Sequence, residues 1–107
     1  MILKSKHRYI LAMSTLPIEA YSEPALLSQL LAFMGYAAYA FAHPSIIKAF
    51  SSNLFVIRCN RSYEKQVIAA LAFVKELQGK PIGIYTIKTS GTLKSINGFA
   101  STITIKG

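Results

Sequence analysis

Carboxylates are nearly absent from this sequence. Four Asp+Glu stand against 12 Lys+Arg in 107 residues, a formal net charge of +8. All four are glutamates, Glu19, Glu23, Glu64 and Glu76, and no two are spaced for acid–base chemistry or for holding Mg2+. The single cysteine, Cys59, excludes an internal disulfide and fits a reducing, cytoplasmic setting. It shares a strand-like run with Phe55 and Ile57, so it reads as a buried thiol and not as a nucleophile. His7 and His43 lie far from each other and from Cys59, which leaves no metal site. The stretch Ser90-Gly91-Thr92 is too short to count as a nucleotide loop. The apolar run near residue 10 is short, holds Arg8 and lacks a cleavage site, so no secretory signal is expected. An enzyme acting alone is disfavoured, and the protein is expected to bind no cofactor itself.

What is abundant is apolar surface and positive charge. Apolar residues make up 52% of the chain, enough for a modest core and too much for disorder. The length suits a single domain over residues 1–107. The excess of cations points to a polyanionic partner, either nucleic acid or an anionic membrane. The segment ALLSQLLAFMGYAAYAFA, 25–42, holds no charge in 18 residues, the minimum for a spanning helix. Ser28, Gln29, Gly35, Tyr36 and Tyr39 dilute it, and Pro24 and Pro44 bracket it, so it reads as a helix buried on more than one side, with no membrane role. Its inward stripe is expected at Leu27, Leu30, Leu31, Met34 and Ala38. Apolar residues around that helix, namely Leu26, Leu30, Phe33 and Ala37, are expected to meet a partner protein.

The remaining pattern is that of a mixed sheet. Residues 7–16 read as a strand apolar on both faces, with Ile10 and Ala12 on one side and Tyr9, Leu11 and Met13 on the other. Pro24 in a first turn, after Ser22 or Glu23 as cap, starts a helix over about 24–38, with Gly35 as an early stop. IIKAF, 46–50, and LFVIRCN, 54–60, flank the turn SSN and form a hairpin. Ser62 caps a second helix whose stripe is Val67, Ala70, Leu71, Val74 and Leu77, ended by Gly79 and Pro81. IGIYTIKT, 82–89, is a fourth strand. A short helix over 92–97 follows, broken by Asn97-Gly98, and then STITIK, 101–106, alternates like a strand. The order β-α-β-β-α-β predicts an α+β, ferredoxin-like/RRM-like α-β sandwich on a four-stranded antiparallel sheet, with a short C-terminal extension. Both helices would cover one sheet face, and either the C-terminal segment or another chain would cover the other.

That topology brings the start of strand one, the end of strand three, the start of helix two and the end of strand four to one rim. Lys4, Lys6, Arg8, Arg58, Arg61, Lys65, Lys88 and Lys94 fall there, eight of the 12 cations, with Glu64 as their only carboxylate. Arginine grips phosphate oxygens in pairs, and a helix N-terminus offers free N–H groups. Ser90, Gly91 and Thr92 add donors. The bland alternative is that Arg58 pairs with Glu64 and Arg61 is merely solvated. LFVIRCN does not fit the aromatic strand motif of an RRM, so contacts to phosphate and shape are expected in place of base-by-base reading.

The runs KHRYI, 6–10, and VIRCNRSYEKQVIAALAFVKELQGKPIGIYTIKTSGTLKSI, 56–96, resemble the family of archaeal ribonuclease P protein component 2 and the small eukaryotic ribonuclease P/MRP subunit. The residues carrying the likeness are Arg8-Tyr9-Ile10, Arg58-Cys59-Asn60-Arg61, Tyr63, Ala69-Ala70-Leu71, Gly79-Lys80 and Ser90-Gly91-Thr92-Leu93-Lys94. The likeness is weaker over 11–50. It implies an accessory subunit of the ribonucleoprotein that removes the 5′ leader from precursor tRNA. The RNA carries the catalytic Mg2+, and the precursor tRNA is met indirectly. The implied partners are ribonuclease P RNA and a barrel-shaped protein subunit, component 3, in a heterotetramer. The motif positions carried over as RNA-binding are Arg8, Arg58, Asn60, Arg61, Ser90, Gly91, Thr92 and Lys94; topology adds Lys6, Lys65 and Lys88. Family members often carry a basic run after the SGT motif. Here the chain continues SINGFASTITIKG, so nothing is carried over to the tail. The alternative reading is a protein-interaction scaffold whose charge serves solubility.

Overall fold

The computed structural model describes residues 7–106, with side chains through Thr102. A four-stranded sheet is built from β1 (His7–Ser14), β2 (Ser45–Ser51), β3 (Leu54–Asn60) and, late in the chain, β6 (Ile84–Ser90). The strand order is β2-β3-β1-β6, antiparallel throughout, which is the split-βαβ arrangement of a ferredoxin-like fold. The central strands β1 and β3 are buried on both faces. Ile10, Ala12, Phe55, Ile57 and Cys59 face the helices α1 (Glu23–Met34) and α3 (Glu64–Ala72). Leu11, Leu54 and Val56 face the opposite way, under α4 (Leu93–Lys106). Three layers result, with the C-terminal segment covering the second sheet face.

The helix over 24–38 is in fact two. Ser22 caps α1 through its Oγ, which accepts from the Ala25 N–H at 3.2 Å, and Pro24 occupies the first turn. Gly35, at φ 87°, then leaves helical geometry, and α2 (Tyr36–Ala42) begins at once. No atom crowds the Cβ position of Gly35, so its role there is conformational. His43 in the left-handed region closes α2 before Pro44. The inward face of α1 is centred on Leu26 and Leu30, both fully buried, with Leu27 and Met34 beside them. Leu26 therefore belongs to the inward stripe.

The second helix is shorter than its apolar spacing predicts. Asn60, not Ser62, opens it: Asn60 Oδ1 accepts from the Ser62 N–H at 2.9 Å, and a 3₁₀ turn, Arg61–Tyr63, leads into α3. Val74 and Leu77 are buried as expected, but outside the helix. Leu77 sits in a hairpin of β4 (Glu76–Leu77) and β5 (Lys80–Pro81). Its two-residue turn places Gln78 at φ 51° and Gly79 at φ 81°, the backbone that tight hairpins demand.

The C-terminal extension departs most from expectation. Asn97-Gly98 does not break it and STITIK is not a strand; α4 is one continuous helix. Ile96 and Ala100, four residues apart, are both fully buried on the sheet, and Thr92 Oγ1 caps the start by accepting from the Ser95 N–H at 3.3 Å. Burial of one helical face outweighs the local preferences of Asn, Gly, Thr and Ile.

Candidate nucleic-acid interface

The sheet register fixes where the cations lie. Tyr9 on β1 stands opposite Arg58 on β3 and opposite Ser90 on β6. One step toward the sheet end, Arg8 faces Cys59, and His7 then faces Asn60. Because strand side chains alternate, Arg8 lies on the α1/α3 side with Ile10, and Arg58 lies on the α4 side with Val56.

Arg8 is the most constrained of the set. Its Nε donates to Glu64 Oε2 at 3.2 Å, with the two side chains 28% and 19% exposed. A Cβ on Gly91 would stand 3.4 Å from Arg8 Nη1. The guanidinium thus spans from the first turn of α3 to the loop joining β6 and α4. Glu64 pairs with Arg8, which corrects the alternative in which Arg58 was its partner. Arg58 is half-buried, while Arg61, Lys65, Thr92 and Lys94 are exposed. Lys88, opposite Leu11, is set back from the rim, and its Nζ lies 5.1 Å from the centre of the Phe99 ring, a cation–π contact that holds it against α4.

Three of the polar positions have structural duties. Asn60 opens the 3₁₀ turn, Ser90 Oγ accepts from the Thr92 N–H at 3.2 Å, and Thr92 caps α4. Their hydroxyl protons and the Asn60 amide nitrogen are still able to donate. Arg8, Arg58, Asn60, Arg61, Lys65, Ser90, Gly91, Thr92 and Lys94 thus share one end of the sheet, with Arg8 and Lys65 on the α1/α3 side, Arg58 and Lys94 on the α4 side, and Lys88 set behind. Lys6 lies outside the described residues. A second carboxylate lies toward this end of the sheet: Glu23 Oε2 accepts from the Ile46 N–H at 3.2 Å, near the start of β2.

Cys59 is fully buried beneath this rim. Burial pushes its thiol pKa up to about 11; Glu64 adds to the rise and Arg8 opposes it. Such a thiol is protonated and unreactive at neutral pH.

The expected protein contact needs correction. Leu26 and Leu30 have no exposed surface, so they hold the core together and cannot meet a partner. Phe33, 48% exposed, and Ala37 remain outside. Phe33 stacks on Phe73 with ring centres 4.8 Å apart, over a shallow groove that also involves Gln29, Ala32, Ala70 and Val74. Tyr36, at the start of α2, is almost wholly exposed. The apolar spacing that carries the second helix to Gly79 gives Phe73 no signal of its own; the helix ends at Ala72 and leaves Phe73 exposed at its C-cap. Among the described residues no helix is long and apolar enough to cross a membrane.

Comparison with known proteins agrees with this architecture. The fold is that of a chain in the cryo-EM structure of yeast ribonuclease MRP, with a TM-score of 0.60 at 13% identity over 100% of both chains. The sequence profile of the Rpp14/Pop5 family matches residues 8–101, and the chain belongs to that family. Ribonuclease P protein component 2 of Methanocorpusculum labreanum is 32% identical over 97 residues, covering 88% of this chain and 65% of the relative. The protein of the same name from Methanoculleus marisnigri is 31% identical over 99 residues, covering 88% and 61%. The chain thus spans less than two thirds of the length of these relatives.

Proposed function

We propose that this chain is a non-catalytic subunit of ribonuclease P that binds the catalytic RNA and supports 5′-leader removal from precursor tRNA in the cytoplasm. The observation that supports the reading is that Arg8, Arg58, Arg61, Lys65 and Lys94 all fall at one end of the sheet, on its two sides. They come from β1, β3, the 3₁₀ turn and the first turns of α3 and α4, and Glu64 of α3 is tied to Arg8. Phosphates give such a rim its natural occupant, because arginine forks and backbone N–H groups fix a sugar-phosphate backbone without reading sequence. The catalytic Mg2+ ions would belong to the RNA. The exposed aromatic groove around Phe33 and Phe73 suits a second, protein partner, which this reading takes to be the barrel-shaped component 3, in a heterotetramer.

The test is reconstitution of precursor-tRNA processing from ribonuclease P RNA, the barrel subunit and this chain, with and without Arg58→Ala/Arg61→Ala. Removing two phosphate contacts should flatten the dependence of log affinity on log salt by roughly 1.5–2 and slow processing, while the fold stays intact. Unchanged binding and unchanged processing would reject the rim. A protein scaffold without RNA contact is favoured by one specific observation, the exposed aromatic groove. It predicts that the double variant behaves as wild type while Phe73→Ala abolishes assembly.

A further inference from the structure

Each edge strand of the sheet carries a bulge beside a lysine. On β2, Ile46 pairs with Ile57 and Lys48 with Val56, so Ile47 is the extra residue. On β6, Thr86 pairs with Ala12 and Lys88 with Leu11, so Ile87 is the extra residue. Strict alternation from Ile46, on the helix side, would put Lys48 on that side too, and the same holds for Lys88 counted from Thr86. The bulges turn both lysines to the α4 side instead, where Val56 and Leu11 lie. Arg58, opposite Tyr9 on the same side, completes the set. The face under α4 thus carries three cations around the partly buried rings of Tyr9 and Phe50.

The helix that covers this face does not match its charge. The α4 sequence, LKSINGFASTITIK, holds no carboxylate and brings cations of its own. The four glutamates belong to other parts of the fold: Glu19 to the 3₁₀ turn after β1, Glu23 to α1, Glu64 to α3 and Glu76 to β4. Neutral groups of α4 hold the two lysines. Lys48 Nζ donates to Asn97 Oδ1 at 3.3 Å and lies 4.8 Å from the centre of the Phe50 ring, while Lys88 lies against the Phe99 ring. The cover is also weak as a helix, being rich in Ser, Asn, Gly, Thr and Ile. A 14-residue segment of that composition does not stay helical once off the sheet. Cations on both edge strands and on a central one, with rings between them, suit a single strand of nucleic acid. The rings stack bases and the cations hold phosphates, without reading the sequence.

We propose that α4 is a displaceable cover and that the sheet face beneath it binds single-stranded RNA, with Tyr9 and Phe50 stacking bases and Lys48, Arg58 and Lys88 holding phosphates. This rests on the RNA-binding reading and adds to it a second surface. The rim takes RNA by its backbone; the uncovered face takes an unpaired segment. While α4 is closed, its own groups stand in for that segment: the Asn97 amide oxygen for a phosphate oxygen at Lys48, and the Phe99 ring at Lys88. Toward its other end the same face is already open, with Met13 38% and Tyr85 59% exposed opposite each other.

Gly98 supplies the test. It is exposed on α4, and no atom lies within 4 Å of a Cβ placed on it. Gly98→Ala therefore strengthens the closed helix and touches neither the face nor its cations. Binding of the full chain is measured by fluorescence anisotropy, over a salt series, to a labelled oligoadenosine and to a blunt RNA duplex. Gly98→Ala should bind the single strand about fivefold more weakly, because fewer molecules are open, and bind the duplex as wild type does. Lys48→Gln should flatten the single-strand slope of log affinity against log salt by about 0.7 and leave the duplex slope unchanged. Saturating oligoadenosine should raise amide exchange over 93–106 in wild type, and circular dichroism checks that each variant is folded. Exchange that is unchanged or slowed by bound oligoadenosine, or a single-strand affinity that Gly98→Ala leaves unchanged, rejects the cover; duplex binding that persists then leaves the rim standing. An unchanged single-strand slope in Lys48→Gln rejects the face as the binding surface. Faster exchange with the barrel subunit, and none with oligoadenosine, identifies a protein as the occupant and overturns the assignment to RNA. If wild type binds neither probe, the RNA-binding reading and the cover fall together.

Discussion

Glu64→Gln should make this protein a better RNA binder while making it slightly less stable. Glu64 is the carboxylate that neutralises part of the rim, and it does so through one contact, Arg8 Nε to Glu64 Oε2 at 3.2 Å. Glutamine keeps the shape and an oxygen that can still accept from Nε, so Arg8 stays in place. Both side chains are partly solvated, so screening limits the loss from the ion pair and from the first-turn position on α3 to about 1 kcal/mol in all. A melting temperature lower by roughly 5 °C corresponds to that loss. The gain is on the RNA side. One more uncompensated cation steepens the slope of log affinity against log salt by at most about 0.9. Between 50 and 200 mM salt that amounts to an additional loss of about threefold, so the variant should be tighter than wild type at low salt and converge with it at high salt. Titrations with a blunt RNA duplex at several salt concentrations measure this directly. A shallower slope with weaker binding would refute the reasoning: it would mean that Glu64 orients Arg8 for the phosphate, and that the pair works as a unit. The same substitution removes one of the influences that raise the Cys59 pKa, so the thiol should ionise at a somewhat lower pH.

Two further outcomes follow from the layers around the rim. The buried Cys59 thiol, with its pKa pushed up to about 11, should not react with a thiol reagent at neutral pH until the chain unfolds. Because the unfolded thiol loses its proton near pH 8.5–9, the unfolded state binds fewer protons than the folded state between that pH and about 11. Stability should therefore fall as pH rises through that window, by about 2–3 kcal/mol from this group, and Cys59→Ala should lack that component in denaturant titrations. Ile96→Ala, which empties the main contact of α4 on the sheet, should cost about 2–5 kcal/mol and raise amide exchange over 93–106. Exchange unchanged there would mean that α4 is held by something other than Ile96.

The outcome for α4 bears on why some of this structure could be read in the chain and some could not. Strands β1 and β3 announce themselves by continuous apolar runs, and their pairing follows from the β-α-β-β-α-β order. Once that order is accepted, the gathering of Arg8, Arg58, Arg61 and Lys94 follows from topology without any knowledge of contacts. The errors all concern residues whose local signal is outvoted by what they pack against. Val74 and Leu77 continue the spacing of α3, yet Gln78-Gly79 supplies the positive-φ pair that turns the chain into a hairpin, and burial alone does not distinguish a helical from a hairpin position. Ser-Ile-Asn-Gly-Phe and Ser-Thr-Ile-Thr-Ile-Lys are poor helix formers, and only the apolar sheet face under Ile96 and Ala100 makes one helix of them. Leu26 falls off the expected inward stripe, and Leu30 is expected both on it and at a partner, because a uniformly apolar helix has no readable face; the structure buries both. Cations at one sheet end can thus be inferred from charge and strand order, because their placement needs few neighbours to be meaningful, whereas the inward side of an apolar helix is fixed only by what it packs against.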